Sequence, residues 1–110
     1  MKPFRFVIKS VPLPNNKNYR TIKQAMVHIC VLSSDIGTAQ EKALSYISSF
    51  DWNPLKVEYA LAITEEQIPH LHKDEFLLYQ KSLIYGIAAD FLASPVREKS
   101  PDSPVEYGNP

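Results

Sequence analysis

The stretch IPHLHKDEF, residues 68–76, sets His70 and His72 one residue apart and follows them with Asp74 and Glu75. On extended backbone the two imidazoles point to the same side, and Asp74 follows within one turn if a helix begins there. Two ring nitrogens and a carboxylate oxygen are ligands that zinc accepts. A plainer account covers the same residues: acids in a first helical turn favour the positive end of the helix dipole, and Pro69 ends whatever precedes it. No fourth ligand stands at a recognised spacing, so the expectation is a polar helix entrance, with His70, His72 and Asp74 as the candidate metal set.

Three other groupings invite chemistry. His28 and Cys30 share one side of an extended segment and pair a base with a thiol. Reactive cysteines sit in exposed electropositive places, however, whereas a mid-strand cysteine is commonly a small buried hydrophobe, and no third residue is in view to orient the histidine. The adjacent acids of TEEQ, residues 64–67, read as a solvated turn rather than a carboxylate pair tuned by burial. Arg5, Lys9 and Lys56 would cluster across neighbouring strands and attract an anion or an acidic partner, with Glu58 close enough in sequence to neutralise them. Arg5, Lys9, His28, Lys56 and Glu58 are therefore the candidate ligand- or partner-binding residues. A phosphate loop is excluded, since the three glycines, Gly37, Gly86 and Gly108, are far apart. No cofactor is implied, and no catalytic residue is assigned.

The elements that must position these groups follow from periodicity. Phe4, Phe6 and Ile8 alternate with Arg5, Val7 and Lys9, which predicts a half-buried strand over 4–11. The proline- and asparagine-rich PLPNNKNY interrupts it, and a β-branched run predicts a second strand over 22–33. Ile36, Ala39, Ala43, Tyr46, Ile47 and Phe50 recur at three- and four-residue intervals and predict a helix ending near Phe50, capped by Ser34, Asp35 or Thr38. DWNPL breaks it, and Trp52 is expected to close the end of the core. Leu55, Val57, Tyr59, Leu61 and Ile63 then alternate with Lys56, Glu58, Ala60 and Ala62 in a third strand. From about His72 to Ala93 the spacing of Phe76, Leu77, Gln80, Leu83, Ile84, Ile87 and Phe91 predicts one long helix with that set facing inward, interrupted at some cost by Gly86.

The expected fold is thus α+β, a β-β-α-β-α two-layer sandwich with a three-stranded antiparallel sheet in order 2-1-3 and two helices on one face. In architecture alone this resembles a ferredoxin-like split β-α-β arrangement without its last strand, and that resemblance implies no activity. Residues 1–94 form the single domain. Residues 95–110 hold four of the nine prolines and read as a disordered tail.

At 110 residues the chain suffices for one core. Twelve basic residues balance twelve acidic ones, which argues against nucleic acid and against anionic lipid as partners. No apolar run approaches the length of a membrane span, the amino terminus lacks the pattern of a signal peptide, and the lone cysteine suits a reducing cytoplasm. With both helices on one side, the other sheet face would expose Arg5, Val7, Lys9, Met26, His28, Cys30, Leu32, Lys56, Glu58, Ala60 and Ala62. That set is too apolar for bare solvent, so a homodimer through the open sheet face or edge is expected. The leading reading is a small non-enzymatic interaction or regulatory protein, with an unidentified protein as a possible second partner. The alternatives are a small-anion or metabolite-binding module near Arg5, Lys9 and His28, and a small metal-dependent or acid–base enzyme centred on His70, His72 and Asp74.

Overall fold

The computed structural model describes residues 1–96. Strands β1 (Lys2–Pro12) and β2 (Ile22–Ser33) form a long hairpin, and helix α1 (Ile36–Ser48) leads to β3 (Trp52–Ala62). A single 3₁₀ turn, Ile68–His70, precedes α2 (Lys73–Tyr85), and β4 (Ile87–Pro95) closes the order. All pairings are antiparallel, in the order β3-β1-β2-β4. The three-stranded expectation is therefore corrected to four strands. The reason is local: residues 72–93 are not one helix but a helix, a glycine and a strand. Gly86 adopts φ 84°, a left-handed conformation that costs glycine little, and its N–H bonds the Ser82 carbonyl at 2.8 Å to end α2. Its own carbonyl accepts from Leu32 N–H at 2.9 Å, so the residue that ends the helix also begins the pairing of β4 with β2. Ile87, Ala89 and Phe91 then alternate with Ala88, Asp90 and Leu92, a two-residue period hidden inside the helical one.

The helices lie on opposite faces, not on one. Phe4, Phe6, Ile8, Val27, Ile29 and Val31 pack against Ala39, Ala43 and Ile47 of α1, with Trp52 at the end of this layer. Two alanines let the helix approach the sheet closely, and Asp35 caps it by accepting from Thr38 N–H at 2.8 Å. That bond holds the Asp35 carboxyl below its usual range. On the other face a smaller cluster joins Cys30 and Ala88 to Leu78 of α2 and to Ile63. Of α2, only Leu78 and Ser82 are buried, while Leu83, Ile84 and Tyr85 are exposed. The stripe expected to face inward faces mostly outward.

β3 departs from simple alternation as well. Val7 faces Tyr59 and Ile8 faces Val57, so Glu58 is an extra residue, and a second shift falls at Leu55. The first bulge moves Tyr59 and Leu61 to the α2 side, beside Arg5, instead of under α1 where strict alternation puts them. The expected tail lies almost wholly outside the described residues. Among those described, no helix is long and apolar enough to cross a membrane.

Candidate functional site: a polar cleft and an open sheet edge

Four elements bring the polar residues of the α2 face together. Arg5 on β1, His28 on β2, Asp90 on β4 and Glu75 on α2 border a cleft of about 300 Å³. His72 and Asp74 complete its polar lining, and Leu78 and Leu92 supply apolar wall. The geometry rests on Glu75. One carboxylate oxygen accepts the His72 N–H at 2.9 Å, which fixes the first turn of α2, and the other lies 2.8 Å from Arg5 Nη2. Arg5 is held further by Tyr59, whose ring centroid is 5.3 Å from its guanidinium carbon. Among the described residues the buried Nε of Arg5 has no hydrogen-bond partner.

His28 Nδ1 lies 3.4 Å from Arg5 Nη2. A guanidinium has only donors, so Nδ1 accepts and the ring proton sits on Nε2. Burial first, and the Arg5 charge second, lower the His28 pKa, while Asp90 and Glu75 oppose the shift. The ring is thus a neutral donor at physiological pH. Burial pushes the Cys30 thiol up to about 11, so the sulfur is protonated and unsuited to attack. Together these facts remove the basis for a Cys30–His28 nucleophilic pair.

The candidates from sequence are divided by this arrangement. Arg5, His28, His72 and Asp74 meet in the cleft. His70 ends the 3₁₀ turn and is exposed. Among the described residues no three of His, Cys, Asp and Glu come together in a way that would hold a metal ion. Lys9 and Lys56 face each other across β1 and β3, and Lys56 reaches Glu58 at 3.6 Å within the bulged edge. Glu75 and Asp90 did not enter the sequence reading as ligand-binding candidates. Glu75 stood in the quoted motif beside Asp74, whereas Asp90 had no signal while its segment read as helix.

The cleft borders the second feature, the outer edge of β4. Leu32 N–H donates to the Gly86 carbonyl and Val96 N–H to the Thr21 carbonyl. Even-numbered residues of β4 therefore turn their backbone groups toward β2, and Ile87, Ala89, Phe91 and Ala93 turn theirs outward. Pro95, without an N–H, falls at an outward position as this parity requires. The edge pairs regularly with β2 from Ile87 to Ser94 and carries one charge, Asp90. Comparison with protein-family models, with curated proteins and with solved structures yields no match.

Proposed function

We propose that the chain is a small interaction protein that works by binding rather than by turnover, and that it pairs with a second copy of itself through the outer edge of β4. The carrying observation is the condition of that edge. It is regular, largely apolar and without lysine, and sheet edges of this kind are the ones that accept another strand. Antiparallel pairing of β4 with its copy about a two-fold axis is self-complementary and would join two sheets into one of twice the strands. A net charge of zero opposes no such approach. A reducing cytoplasm suits the single buried thiol.

Within the polar cleft Arg5 and Glu75 are paired with each other, Arg5 also lies against His28, and Glu75 also accepts from the His72 N–H. Three carboxylates against one permanent cation also make it a poor seat for an anion. Sedimentation of the native chain and of two proline variants tests the reading. Ala93→Pro removes an outward N–H from β4 without touching a β2–β4 bond, and should convert a dimer to a monomer. Ala60→Pro makes the equivalent change on β3, where Ile63 N–H bonding to the Pro3 carbonyl puts the odd residues inward, and should leave the dimer intact. A native chain that stays monomeric at high concentration sinks the proposal, as does a dimer broken by Ala60→Pro and not by Ala93→Pro.

A further inference from the structure

A cavity of about 600 Å³ lies on the α1 side, away from the polar cleft, where the β1–β2 loop meets the turn between α1 and β3 and where Ala89 and Phe91 of β4 complete the lining. One wall is aromatic. Tyr46 and Phe50 pack edge to face with centroids 5.0 Å apart, Phe50 meets Phe91 at 5.9 Å, and Phe91 meets Trp52 at 5.7 Å. Trp52 is buried behind them, whereas Phe50 is 50% exposed.

The opposite wall is polar and held in place. Asp51 adopts φ 64°, in the left-handed region that aspartate tolerates. Three bonds from the β1–β2 loop secure it: Asn15 Nδ2 donates to its carboxylate at 2.8 Å, and Asn16 Nδ2 and Leu13 N–H donate to its carbonyl at 3.1 and 2.9 Å. Asn16 is buried, and its own amide oxygen accepts from Asn18 N–H at 2.8 Å. These bonds spend only part of the wall's capacity. Among the described residues the Asn18 amide, the Lys17 ammonium and the Tyr46 hydroxyl bond to no other side chain, and Asn15 keeps its amide oxygen and a second N–H.

The chemistry of the two walls selects a ligand class. Lys17 and Asp51 cancel, so the rim favours neither an anion nor a cation. Donors and acceptors are present in similar number, which suits hydroxyl groups because each hydroxyl both donates and accepts. A partly exposed aromatic ring offers a face to the C–H side of a saturated ring. The volume lies within the range of small-molecule sites, and the bonds from Leu13, Asn15 and Asn16 to Asp51 tie the polar wall to the α1–β3 turn, which lowers the cost of binding. From these features we infer that the cavity between the Asn15–Asn18 loop and the Tyr46–Phe50–Phe91 wall is a binding site for a neutral saccharide.

The chain carries its own reporter, since Trp52 is its single tryptophan and lines this cavity. The test titrates the full chain with glucose, galactose, mannose, N-acetylglucosamine and fucose into the tens of millimolar. It reads Trp52 emission and saturation transfer from protein to sugar protons by NMR. At least one sugar should give a saturable change in both readouts. Phe50→Ala and Asn18→Ala, both changes at partly or largely exposed side chains, should each weaken it about tenfold, with far-UV circular dichroism unchanged. Absence of a saturable change with all five sugars overturns the inference. So does unaltered affinity in both variants, or saturation by tetramethylammonium or indole in place of every sugar. Neither proline variant above replaces a residue that lines this cavity.

Discussion

The two faces of this sheet are built from alternating residues of the same strands, yet they differ in kind. Toward α1, β1 and β2 present Phe6, Ile8, Val27, Ile29 and Val31, each with no exposed surface, and the helix meets them with Ala39, Ala43 and Ile47. Toward α2 they present Arg5, Val7, Lys9, Met26, His28 and Cys30, and that helix buries only Leu78 and Ser82. The first face is a continuous dry layer. The second combines a small apolar cluster with a salt-bridged arginine, a neutral histidine and a cleft. The difference teaches that one residue of register separates two environments along β1: the even positions carry the burial that favours folding, and the odd positions carry Arg5 and Lys9, the charged groups of the other face.

This division is open to direct attack. The largest effect is expected from cavities in the two faces. Ile29→Ala removes a side chain enclosed on all sides and should cost about 4 kcal/mol, whereas Leu78→Ala, in the smaller cluster with room to relax, should cost about 2 kcal/mol. Urea unfolding of both variants makes the comparison, and equal losses would mean that the second face carries as much of the fold as the first.

A smaller effect should follow from Glu75→Gln. Glutamine can still accept the His72 N–H, so the helix entrance survives, but the charge opposite the largely buried Arg5 is lost. A destabilisation of about 1–2 kcal/mol is expected for a pair that retains some access to water. Recovery by Arg5→Met in the Glu75→Gln background would sharpen the point, because removing both charges relieves the unpaired guanidinium.

The smallest effect concerns pH. His28 has its pKa lowered in the folded chain, chiefly by burial and then by Arg5, so below the ordinary value of 6.5 the unfolded chain binds a proton more readily than the folded one. At pH above 6.5 both states are neutral at this site and it contributes no pH dependence. As pH falls from 6.5 toward the lowered folded value, stability should fall, and His28→Gln should remove that part of the slope. Unfolding midpoints measured on either side of 6.5 check it. An unchanged slope in His28→Gln would show that burial and the groups facing the ring, Arg5, Asp90 and Glu75, do not shift its titration in the folded chain.

The first half of the chain is largely legible in its sequence. Phe4, Phe6 and Ile8, the β-branched triplet Val27, Ile29 and Val31, and the Ala39–Ala43–Ile47 stripe each obey one period without a competitor, and each occupies the buried layer. Legibility ends where two periods overlap. Leu83, Ile84, Ile87 and Phe91 satisfy helical spacing across Gly86, while Ile87, Ala89 and Phe91 satisfy strand spacing beyond it. The candidate site inherits that ambiguity: Arg5, His28, His72 and Asp74 stood out as residue types, but their meeting depends on α2 crossing to the far face and on β4 delivering Asp90.

The sequence by itself determined the hairpin, the first helix and the layer between them, because local periodicity and burial there demand the same arrangement. Only the tertiary structure decided the rest. The left-handed turn at Gly86 is allowed by glycine but not required by it, and it became the end of α2 because β2 offered Leu32 N–H to its carbonyl and an unpaired edge for the next nine residues. A hydrogen-bonding edge is a demand made by a distant strand, and no local pattern of side chains records it.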